Sequence, residues 1–447
     1  MDSLLALSPC DGRYAKYTQI CQEYFSEYAI QRMRLCIEIM YLQELIRMLP
    51  ELQMINNEVT HNKLFEISNK FDITECKKIQ VIENKVKHDV KAVEIYIKDK
   101  LTESNLNECI NYIHFGLTSQ DINNIMYPVL IKEFITNVYV NQINEIRNKL
   151  EQMYVEHKTT VMLGHTHGQA GVPTSFGKEM KVFEYRLQNV VDDLKSIEYK
   201  CKFGGAIGNF NAHIVSYPEY DWKVFADKFV ELYGCSRNQY TTQIDNYENL
   251  SKIFDIVKRI NTVLIDLCQD IWLYILKDYL QLSVNKDEVG SSTMPHKVNP
   301  INFENAEGNL GISNCLFEFM SRKLPVSRLQ RDLTDSTVLR NVGVAFGYSI
   351  IALNNIQTGL DKVVPNKQVI TKDLHKHVVV LSEAYQTILR KHGIENAYDR
   401  LKEFTRVNAS SEITIEEMHS FITNLDIDMN VKNEMYNITV TNYTGIL

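Results

Sequence analysis

Forty consecutive residues, 246–285, contain neither glycine nor proline. Within them Leu250, Ile253, Phe254, Val257, Ile260, Leu264, Leu267, Ile271, Tyr274 and Ile275 recur at steps of three and four, the period of one helix face. A pattern this long exceeds an ordinary globular helix and points to a bundle or an oligomer core. Similar patterns run through 21–48, 128–157, 176–200 and 335–360. Only Gly12 and Gly116 precede Gly164, and later glycines gather at 164–177, 204–208, 290 and 308–311. That spacing suits long helices joined at a few special loops. No alternating β-rich series is evident. The expected fold is all-α with a long central helical bundle: an N-terminal helical domain at 1–110, the bundle at 111–365 and a small C-terminal helical domain at 366–447.

The chain's 447 residues fit about three domains. Its net charge of −8 argues against a general nucleic-acid binder, which would carry a basic face. A locally positive pocket for a small anion stays compatible with it. The nine cysteines are odd in number and form no C-x-x-C pair. Reduced thiols in a cytoplasmic protein are expected, rather than disulfides or a zinc site. The N-terminus has no basic region ahead of its short apolar run, so no signal peptide is expected. No stretch of about 20 uncharged apolar residues suggests a membrane span.

Six polar segments can carry chemistry. Gly290-Ser-Ser-Thr-Met-Pro-His-Lys-Val-Asn-Pro300 holds hydroxyls, His296, Lys297 and Asn299 in a stretch bent by Pro295 and Pro300. Two prolines five apart forbid an ordinary helix, so a mobile loop closing over an anionic substrate is expected. His165-Thr-His167-Gly-Gln169 precedes a helix that Thr174 or Ser175 can cap. It reads as half a metal site, a polar loop, or a histidine acid/base; no third ligand at metal spacing follows, so no metal is expected. Lys87-His88-Asp89 can bind an anion or form a solvated helix face. Thr118 and Ser119 can cap a helix whose N-terminus would attract an anion. Arg328, Arg331 and Arg340, with Ser336 among them, offer guanidinium forks for phosphate or carboxylate. Arg13 and Tyr14 stand on a turn that can pin a phosphate. Gly204-Gly205-Ala206-Ile207-Gly208 follows no predicted strand of a βαβ unit, which rejects a dinucleotide site.

The 290–300 segment resembles the shared loop of the fumarase/aspartase superfamily, all-helical homotetramers that release fumarate from succinyl compounds. Thr166-His167-Gly168-Gln169, His296 between Pro295 and Lys297, and Gln330-Arg331-Asp332 with Ser336-Thr-Val-Leu-Arg340 are similar to the adenylosuccinate lyase family. The resemblance runs from Asp11-Gly12-Arg13-Tyr14 to at least Arg340. It implies three helical domains, four subunits and active sites each built from three of them. His167 and Ser291, 124 positions apart, would then meet without being near in one subunit, and the 246–285 apolar face would gain an intersubunit partner.

The implied reaction is cleavage of a C–N bond by β-elimination, without cofactor, on an anionic purine nucleotide carrying a succinyl group. By that resemblance Ser291 is the base and His167 the acid, with Lys297 and Asn299 stabilising the carboxylate-derived dianion. Arg13, Lys297, Arg331 and Arg340 are the expected anion-binding cations, assisted by His88, Ser336 and Tyr14. Thr118, Ser119 and Gln243 are expected on a succinyl carboxylate. Lys87 and Asp89 are expected among the substrate-binding residues, and His88 joins the catalytic set. The chain departs from the family's pattern at Gln169-Ala170-Gly171-Val172-Pro173, His165, Lys87 and Gln120, and its last helix is expected to be short. The rivals are another fumarate-releasing lyase of the superfamily, an inactive helical scaffold, and a metal-dependent hydrolase using His165 and His167.

Overall fold

A computed structural model describes residues 3–283, 294, 296–407 and 413–447. The chain is 69% helical, which settles the all-α class. It divides into two compact units, each assembled from three segments: 1–143, 190–262 and 308–354 form one, and 144–189, 263–307 and 355–447 the other.

In the first unit, α1 (Glu27–Met48) starts where Ser26 turns the chain to φ −71°, ψ 159° and its hydroxyl accepts the Ala29 N–H. The expected helix at 21–48 is therefore broken at Ser26. α2 (Ile73–Val86) ends at Lys87 in the left-handed region, and α3 (Asp89–Glu103) follows after His88. α4 (Ser119–Phe134) is buried from Gln120 to Ile131. A π-helical turn at Ile135–Tyr139 joins it to α5 (Val140–His157), so the expected 128–157 helix begins earlier and carries a bulge.

β1 (Val161–Thr166) and β2 (Gln169–Ser175) form an antiparallel hairpin and lead into α6 (Phe176–Lys195). β3 (Lys200–Cys201) and β4 (Ser236–Arg237) make a short parallel pair. α7 (Glu248–Leu276) realises the long periodic stretch but stops at 276. Asp278 turns left-handed and β5 (Leu280–Leu282) pairs with β6 (Val363–Pro365). α8 (Ile301–Lys323) and α10 (Val342–Lys362) complete the long helices, and the expected 335–360 helix is broken at 340–341 after the six-residue α9 (Thr334–Leu339). Gly308 and Gly311 lie within α8 rather than at a loop, where a Cβ would meet nothing within 4 Å.

The α7 face from Leu250 to Ile271 is buried within the chain itself. The expectation that it awaits another subunit is corrected: its partners are intramolecular. In the first unit Phe25, Phe134, Phe346 and Phe317 contact in series at 4.9 Å between ring centroids. Beside them Asn261 Nδ2 donates to Ser313 and Ser349 at 3.2 Å, and the Tyr139 hydroxyl donates to Asn261 Oδ1 at 3.2 Å. This satisfied buried network fixes the register of α7, α8 and α10. Residues 334–362, which contain the expected 335–360 helical pattern, are apolar and long enough to cross a bilayer by length and composition. Of their most apolar window 61% is buried inside the protein, as in a core helix.

In the second unit helices Lys367–Lys376, Ser382–Lys391, Ile415–Thr423 and Met429–Tyr436 close over a cluster containing Leu374, Leu381, Tyr385, Met418 and Met435. Leu163 of β1 is fully buried in that cluster. The hairpin is thus rooted in the C-terminal helices at one end, leaving its tip exposed. Cys10, Cys21, Cys109, Cys201, Cys235 and Cys268 are buried, and all nine cysteines are free.

Candidate active site

The hairpin tip is a two-residue turn. Thr166 pairs with Gln169, leaving His167 (φ 54°) and Gly168 (φ 72°) as its central residues. Two positive φ values make the turn whose twist suits a hairpin. The expected polar loop is therefore a β-turn that presents the exposed His167 ring at its apex. A bulge between Leu163 and His165 brings Gly164 against the Val172 carbonyl, where a Cβ would stand 2.7 Å from that oxygen. Ser175, not Thr174, caps α6: its hydroxyl accepts the Lys178 N–H at 3.1 Å, while Thr174 donates to Glu179. The His165 ring packs edge-on to Tyr279, and burial, then the Lys277 charge, lowers its pKa.

Lys297 and Asn299 precede α8 in the same unit. The Lys297 N–H donates to the Met294 carbonyl at 3.0 Å, and Lys297 is exposed. The described residues 294 and 296–300 are non-helical, as two prolines require. Ser291 lies outside the described residues.

The first unit gathers most of the remaining candidates around the first turns of α4. His88 is not on a solvated helix face. It is the N-cap of α3, with Nδ1 accepting the Lys91 N–H at 3.1 Å. That bond leaves the proton on Nε2, which is therefore a donor. Asp89 Oδ2 accepts from Arg34 Nη2 at 2.7 Å and from Arg340 Nη2 at 3.2 Å. Burial pushes the Asp89 carboxyl up, but the Arg34 charge, the Val90 N–H and Arg340 outweigh it and hold it below its ordinary value. Arg340 also meets Glu27 at 3.2 Å. Arg34 is 2% exposed, and its Nε donates to Asn123 of α4 at 2.9 Å.

Thr118 caps α4, and its N–H donates to Asp121 Oδ2 at 2.8 Å; Ser119 is the first helical residue. One residue further, Gln120 Nε2 reaches Ser336 Oγ at 3.5 Å. Arg331 donates to Ser336 Oγ at 3.4 Å and to Gln243 Oε1 at 3.1 Å. The backbone of Gln243 is itself pinned, its N–H donating to the Gln330 carbonyl at 3.3 Å. Two sets of contacts thus meet α4: Gln243, Arg331 and Ser336 reach it through Gln120, and Arg340 and Asp89 through Arg34 and Asn123, while Thr118 and Ser119 form its start. Lys87 is beside them in the left-handed cap. Arg13 and Tyr14 sit on a separate turn. It is closed by Tyr14 N–H to Pro9 carbonyl at 2.9 Å, and Gly347 of α10 packs on its Cys10 side.

Sequence reasoning missed Arg34, Glu27, Asp121 and Lys202, which hold these groups from behind. Asp121 had a usable signal, since an acid three residues after a capping Thr is a helix-start pattern. A cationic and hydroxyl-lined surface at a helix N-terminus suits a substrate with a phosphate and carboxylates.

The family described as Lyase matches residues 12–312, and that described as Adenylosuccinate lyase C-terminal matches 327–444. The chain is 50% identical to the adenylosuccinate lyase of Dictyostelium discoideum, covering 100% of this chain and 98% of that one. It is 44% identical to that of Legionella pneumophila (strain Corby), over 100% and 98%. For Escherichia coli (strain K12) the figure is 39%, over 100% and 97%. A fumarate lyase structure from Mesorhizobium sp. BNC1 superposes with a TM-score of 0.75 at 15% identity, covering 96% of this chain and 95% of that one, and shares its fold. With such identity sustained from end to end, the chain belongs to the adenylosuccinate lyase family.

Proposed function

We propose that this chain eliminates fumarate from adenylosuccinate, giving AMP, and from the succinyl-aminoimidazole carboxamide ribotide of purine biosynthesis, giving the carboxamide ribotide. The observation that carries this reading is the convergence of Gln120, Gln243, Arg331 and Ser336 beside the capped start of α4. It offers hydrogen-bond donors and a cation where a succinyl carboxylate would lie.

Chemically, a base removes the proton from the carbon next to a carboxylate. The C–N electron pair leaves with nitrogen, which an acid protonates, and a C=C bond forms to give fumarate. Ser291 is assigned as base and His167 as acid. The apex position of His167 supports this role, since an exposed ring on a tight turn can enter the site of another subunit. Lys297 and Asn299 are assigned to the dianionic intermediate, which fixed cations and N–H groups stabilise best when already oriented. Arg13, Arg331 and Arg340, with Lys297, are assigned to the phosphate and carboxylates of the substrate, assisted by Ser336, Tyr14 and His88, whose Nε2 is a donor. Thr118, Ser119 and Gln243 serve the succinyl end, and Lys87 and Asp89 are assigned to substrate binding beside His88.

On this reading the chain is a cytoplasmic homotetramer with the three-domain division at 110 and 365, and its sites are shared between subunits. Apolar side chains left exposed on the long helices support assembly: Val182 and Tyr185 of α6, Trp272 and Leu273 of α7, Ile312 and Phe319 of α8. An absorbance assay with adenylosuccinate, argininosuccinate and malate, run beside a solution mass measurement, tests the proposal. Turnover of adenylosuccinate alone by a species four chains in mass is the expected result. Turnover of either other substrate without it would refute the reading.

A further inference from the structure

Lys202 is fully buried, and so is the carboxylate it meets. Its Nζ donates to Asp121 Oδ1 at 2.6 Å and to the Gly205 carbonyl at 2.7 Å. The same Asp121 oxygen accepts the N–H groups of Gly204 at 2.8 Å and Gly205 at 3.2 Å, while the other oxygen takes the Thr118 N–H. One carboxylate therefore receives four donors from two chain segments. Nothing in the apolar, glycine-rich stretch 201–208 requires a buried ammonium. Burial of a charge is unfavourable unless its partners are fixed. Lys202 and Asp121 therefore act as a joint between the start of α4 and the 202–208 turn.

The joint extends further. Gly205 (φ 76°) lies against the Gly116 carbonyl, where a Cβ would stand 3.2 Å away. Gly208 (φ 82°) lies so close to Thr241 and Thr242 that a Cβ would stand 3.0 Å from the Thr242 oxygen. Gln243 follows directly, and its N–H and amide oxygen engage Gln330 and Arg331. Loops 114–118, 202–208 and 241–243 are thus stacked on one another with no side chain between their backbones at these glycines.

We propose that Lys202 is a positioning residue for the carboxylate-binding end of the site: through Asp121 and the Gly204–Gly208 turn it sets the Thr118–Ser119 helix start and Gln243 in register. The proposal rests on the reading that Thr118, Ser119 and Gln243 hold a succinyl carboxylate. Lys202 does not touch substrate. Its removal alters how donors are aimed, not how many there are.

The test uses the full-length protein and compares the parent with Lys202→Met, Lys202→Met/Asp121→Asn and Ser119→Ala. Inhibition constants for the two products, fumarate and AMP, are measured beside KM, kcat and thermal midpoints. The double variant removes both buried charges at nearly constant shape, which lets the fold survive if Lys202→Met alone does not. Fumarate binding is expected to weaken about tenfold in the folded Lys202 variants, with AMP binding within about twofold, the size of a lost set of aimed hydrogen bonds. A mere loss of stability would weaken both products together or neither. Unchanged fumarate binding in a folded variant, equal loss of both products, or failure of both variants to fold would overturn the proposal. Unchanged fumarate binding in Ser119→Ala would instead remove the reading beneath it.

Discussion

Glu27→Gln tests whether the Arg340 guanidinium is already engaged before a phosphate reaches it. Glu27 Oε2 lies 3.2 Å from Arg340 Nη1, and Asp89 Oδ2 lies 3.2 Å from Nη2 of the same group. If Arg340 takes the substrate phosphate, that phosphate competes with both carboxylates. The two acids differ in how firmly they are held. Asp89 is 24% exposed and also bound by the buried Arg34, whereas Glu27 is 49% exposed. Glu27 is therefore the partner that yields. Because Arg340 is 46% exposed as well, water screens the pair, and its net worth is about 0.2–1 kcal/mol. Glutamine keeps the shape and the acceptor that Gln31 uses at 3.2 Å, but removes the charge. Nucleotide affinity should then rise by about 1.4- to 5-fold. The gain should appear in KM and in the AMP inhibition constant, with kcat nearly unchanged, because the contact is made equally in ground and transition states. It should shrink between about 0.05 M and about 0.5 M salt as screening shortens. Steady-state rates with adenylosuccinate at both salt concentrations read it out. A KM unchanged or raised at low salt would refute the competition argument.

His167→Ala should lower kcat by about two to four orders of magnitude while AMP inhibition stays within about threefold. A kcat within about tenfold of the parent would strip His167 of its acid role. Gly208→Ala adds left-handed strain of about 1–2 kcal/mol to overpacking against the Thr241 backbone of about 1–3 kcal/mol. Gly168→Ala at φ 72° meets no atom within 4 Å and adds strain alone. Urea midpoints should therefore fall further for Gly208→Ala, and equal shifts would show that the close approach is not limiting. Glu83 has a carboxyl raised first by burial and then by the Asp89 and Glu27 charges. A raised acid binds its proton more tightly folded than unfolded, so stability falls as pH climbs above its ordinary value of 4.5. Glu83→Gln should raise the denaturation midpoint near about pH 7, by no more than about 1 kcal/mol at this exposure, and leave it unchanged near about pH 4. A lower midpoint at neutral pH would contradict the repulsion.

The long helices were legible because burial writes itself as a 3.6-residue period, and α7 shows it from Leu250 to Ile271. Its end was not legible. Asp278 turns the chain left-handed and Leu280 starts a strand without any glycine or proline to mark the change. The β1–β2 hairpin was hidden for a related reason. Its turn carries His-Gly where Asn-Gly or Asp-Gly would signal a hairpin, and its strands contain Gly164 and Pro173, which weaken any strand pattern. The capping role of His88 was not legible, because Lys87 ends one helix in the left-handed region and the next begins at once. The polar segments at 87–89, 118–119 and 328–340 were visible as segments, since clustered hydroxyls and cations stand out between apolar helical patterns. What holds them was not. Arg34 and Asp89 are 55 positions apart, and Lys202 and Asp121 are 81. Nothing local to an arginine or a lysine tells a buried partner from a solvated one.

The placement of acids around a site proposed for a polyanion follows from the same geometry. Carboxylates near a phosphate and two further carboxylates would be expected to repel them. Yet Asp121 is occupied by Lys202 and three backbone N–H groups, and Asp335 accepts the Tyr247 hydroxyl at 2.8 Å. Asp89 is shared between Arg34 and Arg340. Each acid spends its charge on groups already in the protein, and so fixes the direction in which neighbouring donors point. Donors held in this way need little rearrangement when an anion arrives, and that saving matters most where charge grows during the reaction. Glu27 is the acid on Arg340 held least firmly. Neutralising it should therefore tighten binding, whereas neutralising Asp121 or Asp89 should loosen it. That opposition of sign is what separates a carboxylate that competes with the substrate from carboxylates that prepare for it.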